Sequence, residues 1–312
     1  MRIGIQLPQF GPHATPEGLA EFAELSEELG FDSVWLSDHV VLPREPSSDY
    51  PYSSKGLPMA SWRPFYEPVA AMAFVAARTS RVRIGTSVLV PALRHPVLLA
   101  KMFSTIDALA QGRLVLGLGA GWLEDEFRIL GAPPFAERGP VLEEIVALMT
   151  ALWSGEGAFH GDHWDVPAVY FEPASEQQPR PPIWIGGNTD AAIRRAARIG
   201  DGWHPARMSP DEFAEARERL AVAVRDAGRD VADVEPSLTG LLRFTDDAID
   251  GSRLRDVVGT PEAVTELLRR YAEAGVGTFV AALDPHEPLA GRRETIVRLA
   301  EEVVPALAMR IA

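Results

Sequence analysis

The residues best suited to chemistry come directly after short apolar runs. Ser37-Asp38-His39 follows the run SVWL and sets a carboxylate beside an imidazole. Histidine exchanges protons near neutral pH because its unperturbed pKa is about 6.5. The pair can therefore bind the polar edge of a ring and move a proton. An aspartate that caps a helix beside a surface histidine explains the same residues, and the pattern alone leaves both interpretations open.

Two glycine-rich turns are candidate ligand-binding segments. Residues 117–122 (GLGAGW) resemble a dinucleotide-binding fingerprint, but Trp122 stands where its third glycine should be. The glycines still allow close approach of a flat ligand, or they serve a tight turn. Residues 186–189 (GGNT) lie between a strand and a helix, where free backbone N–H groups bind phosphate. Asn188 or Thr189 can equally be a plain helix N-cap.

Two histidines raise the question of a metal site. His160 and His163 lie in a Gly- and Pro-containing segment instead of on a helix face, and no third ligand is evident. We therefore predict no metal. A metal-dependent hydrolase that uses these histidines with Asp38 and His39 is the weakest alternative. The sequence has no G-x-S-x-G, Walker or H-E-x-x-H motif.

The framework for these residues is a regular alternation of strand and helix signals. About eight strand–helix units in a row predict a parallel sheet, and within about 300 residues they favour a closed (β/α)8 barrel (TIM barrel) over an open Rossmann-like sheet. We interpret residues 1–312 as one domain. The expected strands are 2–7, 33–37, 82–90, 113–119, 183–187, 201–204, 237–243 and 277–283.

Two long segments interrupt the alternation, one after strand two and one before strand five. Residues 43–64 are rich in Pro, Ser and Tyr, and residues 155–182 contain Gly, His, Trp and Pro. Long loops in compact domains are often functional, and a loop that follows a barrel strand lies on the catalytic face. We expect 43–64 to be a lid, and both segments to shape the substrate site.

Composition limits the partners. The 312 residues carry a net charge of −14 with no run of basic residues, which disfavours nucleic acid and acidic membranes. With no cysteine, thiol nucleophiles, disulfides and cysteine metal sites are excluded. We find no membrane-spanning stretch and no room for a signal peptide, so we expect a cytoplasmic protein.

Taken together, these segments resemble the luciferase-like monooxygenase superfamily, and within it the branch that uses the deazaflavin coenzyme F420. The resemblance runs in order over most of the chain. It is carried by residues 30–39, 83–101, 112–127, 182–205 and 259–276.

The resemblance implies hydride transfer at the deazaflavin C5, with a role for each matching residue. His39 and Asp38 would be catalytic, with Asp38 orienting His39 and touching the ring. Superfamily members carry a non-proline cis peptide beside the ring, which here would be Ser87–Val88. The other cofactor-binding residues would be Thr86, Ser87, Val88, Gly119, Ala120 and Gly121 at the ring, and Gly186, Gly187 and Asn188 at the phosphate.

One departure from the branch concerns the substrate. Its sugar-phosphate dehydrogenases have a catalytic glutamate where this chain has Trp122, with Glu124 and Glu126 nearby but offset. We therefore expect a small-molecule substrate that is more apolar than a sugar phosphate. The residues expected to contact it are Trp62, Trp122, Trp203 and His204.

Three functional hypotheses follow. The leading one is an F420-dependent oxidoreductase with a proton donor or acceptor in His39. The alternatives are a monooxygenase that uses reduced FMN and oxygen, and a non-catalytic carrier of flavin or deazaflavin. Relatives are commonly homodimers, so we expect a homodimer.

Overall fold

The computed structural model describes residues 1–47, 59–155, 157–246 and 255–308. Its strands are β1 (Arg2–Gln6), β2 (Ser33–Leu36), β3 (Arg83–Thr86), β4 (Leu114–Leu118), β5 (Phe159–His160), β6 (Asp165–Val166), β7 (Ile183–Gly186), β8 (Gly202–His204), β9 (Glu235–Phe244), β10 (Val257–Gly259) and β11 (Thr278–Ala282). Its helices are α1 (Pro16–Glu28), α2 (Pro68–Ala76), α3 (Pro96–Leu109), α4 (Glu124–Leu130), α5 (Arg138–Trp153), α6 (Asp190–Ile199), α7 (Pro210–Asp226), α8 (Pro261–Glu273), α9 (Leu289–Arg298) and α10 (Val304–Ala308).

The parallel strands close into a barrel. The order is β9-β11-β1-β2-β3-β4-β7-β8, and the pairing of β8 with β9 completes the ring. The expected (β/α)8 barrel is confirmed, and the open-sheet alternative is wrong because that last pairing leaves no sheet edge. β10 adds to the end of β9, and β5 and β6 form a separate antiparallel hairpin.

Local sequence determines where the helices begin. The Thr15 hydroxyl accepts a hydrogen bond from the Gly18 N–H at the start of α1, and Ser209 and Glu212 form a capping box on α7. Both helices have proline in the first turn, where no intrahelical donor is lost. No helix in the described ranges is long and apolar enough to cross a membrane.

Large and small residues alternate in the barrel interior. Trp35 of β2 and Trp184 of β7 are buried there and stack with ring centroids 5.1 Å apart. Glycines on neighbouring strands make room for them. A Cβ on Gly85 would lie 2.5 Å from the Trp35 ring, and a Cβ on Gly202 would lie 2.4 Å from the Trp184 ring. The glycines are therefore required by the indoles, because close-packed cores do not absorb extra atoms.

Residues 175–177, shortly before β7, lie at the end of the barrel opposite the functional one. The Gln177 side-chain amide donates to the carbonyl of Leu114, the first residue of β4, and the Ser175 hydroxyl donates to Asp107 near the end of α3. Our expectation that residues 155–182 shape the substrate site is therefore wrong for the part that makes these contacts. A segment that precedes a strand approaches the strand's amino end, whereas barrel active sites lie at the carboxyl ends.

We expect Gly85→Ala to lower the free energy of unfolding by about 1–3 kcal/mol, because the added methyl overlaps the Trp35 ring. Urea unfolding followed by circular dichroism measures this loss. The matched control is the double variant Gly85→Ala/Trp35→Phe, in which the smaller ring frees space. Its loss should be less than the sum of the two single losses. Simple additivity would contradict the packing explanation.

Candidate functional site

The imidazole of His39 lies just beyond the carboxyl end of β2 and is enclosed by aromatic rings. Its ring centroid is 5.5 Å from that of Trp62, at 28°, and 5.7 Å from that of Trp122, at 83°. Phe65 contacts it edge-on at 5.5 Å and stacks on Phe10 at 5.0 Å. The sequence predicted Trp62 and Trp122 near the site, and both lie beside the imidazole.

Glu126, in the first turn of α4, holds the His39 ring. Its Oε2 lies 2.9 Å from Nδ1 of His39, and its Oε1 accepts backbone N–H bonds from Val40 at 2.5 Å and Val41 at 3.0 Å. The residue is 2% exposed. Sequence reasoning identified Glu126 only as an acid offset from Trp122, and assigned the orientation of His39 to Asp38. The structure gives that contact to Glu126.

Asp38 has a different partner. Its carboxylate accepts two hydrogen bonds from the Arg94 guanidinium, at 2.9 and 2.8 Å, and one from the Val90 N–H at 2.8 Å. Burial lowers the pKa of Arg94, but Asp38 and Glu67 outweigh it and the net shift is upward, so the arginine stays charged. Asp38 thereby ties the end of β2 to the segment that follows β3.

That segment contains a non-proline cis peptide bond between Ser87 and Val88, at the position implied by the resemblance. Ser87 and Val88 are partly exposed there. A Cβ on Gly119 would lie 2.6 Å from the Val88 side chain, and a Cβ on Gly186 would lie 2.8 Å from it. These two glycines therefore make room for Val88 itself, at the ends of β4 and β7.

His204, at the end of β8, supports Ser87 from inside the barrel. Its Nε2 lies 2.8 Å from the Ser87 hydroxyl and its Nδ1 lies 2.7 Å from the Ser237 hydroxyl. Its ring stacks on Trp35 at 5.2 Å. Burial lowers its pKa to about 3, so the ring is neutral at physiological pH. His204 is 2% exposed, so it contacts the floor of the site and not open space.

The turn between β7 and α6 contains a glycine at a position where a side chain would be strained and crowded. Gly187 has φ +122°, and a Cβ there would also lie 2.9 Å from Ala192. The N-cap of α6 is Thr189, whose hydroxyl accepts from the Ala192 N–H. The Asn188 amide instead pairs with the backbone of Ala206 through both its donor and its acceptor.

Two predicted residues are buried in the barrel wall, although the Trp203 indole N–H donates to the Gly187 carbonyl at 3.0 Å. Trp203 is 0% exposed and packs on Phe213 of α7, on the helix side of its strand. Thr86 is buried in the sheet, where its hydroxyl donates to the Gly117 carbonyl. Ala120 is partly exposed near the ends of the strands, whereas Gly121 packs under Phe127 with φ +90°.

Gln9 is a buried residue that sequence reasoning missed. Its side-chain oxygen accepts from the Ser37 N–H, and its amide nitrogen donates to the carbonyls of Ser37 and Tyr66. Gln9 therefore fixes the backbone immediately before Asp38. The signal available in the sequence was a glutamine two residues after the expected strand 2–7.

The described parts of the segment 43–64 lie at the same end of the barrel. The Ser47 N–H and hydroxyl both donate to Asp125 of α4, and the Gly11 N–H donates to the Trp62 carbonyl. Tyr50 and Tyr52 lie outside the described residues. The role of this segment as a lid stays a prediction.

The histidines considered for a metal have separate carboxylate partners. His160 pairs with Asp165 across the β5–β6 hairpin, and His163 lies between Glu144 and Glu137. In the described parts of the chain, no group of three or more candidate ligands is suited to a metal ion.

The structure is a parallel α/β barrel with His39, its aromatic neighbours and the Ser87–Val88 turn at the carboxyl ends of its strands. The model of the luciferase-like monooxygenase family matches residues 1–250. The chain therefore belongs to the luciferase-like monooxygenase family, an enzyme family, as the resemblance implied.

Two relatives are similar over most of their length. An uncharacterised protein of Mycobacterium tuberculosis is 32% identical over 237 residues, covering 75% of this chain and 80% of that protein. A Kribbella flavida protein named F420-dependent glucose-6-phosphate dehydrogenase is 30% identical over 356 residues, covering 98% of each.

Solved structures share the fold. The F420-dependent tetrahydromethanopterin reductase of Methanopyrus kandleri has a TM-score of 0.80 at 16% identity, covering 98% of this chain and 99% of that one. An F420-dependent secondary alcohol dehydrogenase in complex with an F420–acetone adduct has a TM-score of 0.78 at 20% identity, covering 98% of both chains.

We expect His204 to make the protein sensitive to acid. Its pKa is about 3 in the folded state against an ordinary value of 6.5, so only unfolding lets it take up a proton between these values. Its contribution to the free energy of unfolding should therefore fall by about 1.4 kcal/mol per pH unit below 6.5. Urea titrations at several pH values measure this slope.

The matched variant is His204→Gln, which keeps a polar side chain but cannot titrate. Its slope should be shallower than that of the native protein by about one proton between pH 6 and 4. Equal slopes would show that His204 does not titrate in this way.

Proposed function

We propose that the protein is an F420-dependent oxidoreductase that moves a hydride between the deazaflavin and a small, largely apolar organic substrate bearing a hydroxyl or carbonyl group. The observation that carries the proposal is the His39 imidazole, held by buried Glu126 among Trp62, Phe65 and Trp122 beside the Ser87–Val88 turn. It sets a proton-transfer group next to a surface suited to a flat ring.

The residues present fit a deazaflavin. Ser87 and Val88 are partly exposed at the mouth, and glycine at 119 and 186 leaves Val88 as the surface that a ring would meet. The Gly187 backbone at the start of α6 would hold the phosphate, where N–H groups and the helix dipole favour anions. Bound there, the cofactor would supply or accept the hydride.

His39 would take or give the substrate proton. A positioned imidazole contributes about 10²–10⁴ in rate to such a transfer. Asp38 would act through the protein, because its carboxylate is occupied by Arg94 and the Val90 N–H. It fixes the turn on which the ring would lie.

The aromatic enclosure indicates the kind of substrate. Trp62, Phe65 and Trp122 present flat apolar faces and edges around the imidazole. Aromatic rings favour apolar ligand surface over a doubly charged phosphate, whose desolvation they cannot compensate. We therefore expect a neutral alcohol or ketone to be preferred to glucose 6-phosphate, although relatives carry that sugar phosphate in their names.

A homodimer is part of the proposal. Leu98 and Leu109 are 56% and 65% exposed on α3, about three turns apart on the same face. Phe74, on the adjacent helix α2, is 41% exposed. We expect sedimentation velocity to give a dimer, and Leu109→Asp to shift it toward monomer. A native monomer at micromolar concentration would overturn this part. The cytoplasmic location stays a prediction.

The cofactor is tested by titrating the protein with oxidised F420 and, in parallel, with FMN, following quenching of tryptophan fluorescence. We expect F420 to bind at least 10-fold more tightly than FMN. The reverse order would favour the flavin monooxygenase alternative, and no binding of either would overturn the proposal.

The role of His39 is tested with His39→Gln. We expect F420 affinity within about 3-fold of native, because the ring would lie on the Ser87–Val88 turn. Turnover of a panel of secondary alcohols and ketones, followed by deazaflavin absorbance, should fall by about 10²–10⁴. Tight binding with no turnover by the native protein would favour the carrier alternative.

A further inference from the structure

We infer that Glu126 is a positioning residue that keeps the His39 proton on Nδ1, so that Nε2 is the nitrogen that exchanges a proton with the substrate and acts as the base when an alcohol is oxidised. The inference rests on the proposed function and deepens it. It assigns the proton transfer to one ring nitrogen and gives a role to an acid outside the Asp-His pair.

The hydrogen-bond pattern around Glu126 leaves Nδ1 as the donor. Backbone N–H groups can only donate, so Oε1 accepts from both Val40 and Val41. We assign the acceptor role to the other carboxylate oxygen as well. At Oε2, 2.9 Å from the imidazole, the hydrogen must therefore come from Nδ1 of His39. The carboxylate thus selects the tautomer whose lone pair is on Nε2.

The surroundings keep the ring in this orientation. The His39 side chain is only 11% exposed, and it lies between Trp62 on its face and Trp122 and Phe65 at near right angles. A ring flip would move Nδ1 away from a nearly buried carboxylate. Of the described residues, none hydrogen-bonds to Nε2, so this nitrogen is left for the substrate.

In alcohol oxidation, the proton and the hydride of the substrate have separate acceptors. Nε2 would accept the proton of a substrate hydroxyl while the C–H bond of the carbinol carbon breaks, and the bound oxidised deazaflavin would supply the hydride acceptor. The products are a ketone or aldehyde, the reduced cofactor and an imidazolium. Glu126 stabilises that cation across Nδ1, as an acid behind a catalytic histidine does in other enzymes.

The variant that separates positioning from structure is Glu126→Gln. The amide oxygen can keep both backbone N–H bonds, while its NH2 group must donate toward Nδ1. The imidazole proton then moves to Nε2, and the base is lost with the local fold retained. We expect alcohol oxidation to lose about 10²–10⁴ in kcat, with KM and F420 affinity within about 3-fold.

The matched control is Asp125→Asn, the preceding acid in the same helical turn. Its carboxylate accepts from Ser47 and Arg128, and no hydrogen bond joins it to His39. We expect its kcat to stay within about 3-fold of native. An equal loss in both variants would overturn the inference, because it would assign the effect to the α4 turn in general.

A second measurement needs neither cofactor nor turnover. In protein labelled with ¹⁵N-histidine, long-range proton–nitrogen NMR reports which ring nitrogen is protonated, and His39→Gln identifies the signals. We expect Nδ1–H in the native protein and Nε2–H in Glu126→Gln. Native Nε2–H would overturn the inference, whether or not the variant folds. If F420 fails to bind while the native tautomer is Nδ1–H, the proposed cofactor is wrong and the positioning role stands.

Discussion

The buried ion pair between Asp38 and Arg94 is the interaction on which the rest of the site depends. A charge without water must be paired, and removal of one partner from such a pair is strongly destabilising. Here both Asp38 oxygens meet the guanidinium, and the Val90 N–H completes the set. The pair locks the end of β2 to the turn after β3, so the imidazole and the Ser87–Val88 surface keep one fixed separation.

The same pair determines which acid serves His39. Because Asp38 is committed to Arg94, the imidazole beside it in sequence needs a partner from another strand–helix unit. Glu126 supplies it from α4 and also binds the backbone of Val40 and Val41. One carboxylate thus shapes the loop and orients the ring. Asp38 and His39 are adjacent in sequence but have different partners, whereas His39 and Glu126 are far apart in sequence and hydrogen-bond to each other.

The fold was predictable from the sequence because it follows from local patterns repeated along the chain. Alternating strand and helix signals led to a parallel barrel, and the barrel places Asp38, Gly119 and Gly186 at one end. The position of residues 175–177 was also predictable, because a segment that precedes a barrel strand approaches the strand's amino end. Which face of β8 carries Trp203 was not predictable, because a strand as short as Gly202–His204 gives too few alternations to decide which residues face inward.

Contacts that join distant units could not be read from one sequence. Glu126 and His39 are linked only after β2, β4 and the start of α4 are assembled. The glycines at 119 and 186 show a related limit. The sequence predicted open backbone there and attributed it to a ligand, whereas the neighbour that fills the space is Val88. A glycine in the sequence indicates that a neighbouring group approaches the backbone closely. The structure is needed to identify that group.

Trp122 is the residue at which this chain departs from the sugar-phosphate dehydrogenases that it resembles. Where the sugar-phosphate dehydrogenases of the F420 branch have an acid, this chain has an indole whose ring lies 5.7 Å from His39. An acid there would place a second carboxylate near the imidazole and would compete with Glu126 for its proton. With the indole there, Glu126 is the acid in hydrogen-bond contact with the ring. Under the proposed function, an indole at this position and an acid at Glu126 together account for a site that prefers apolar alcohols to phosphate-bearing sugars.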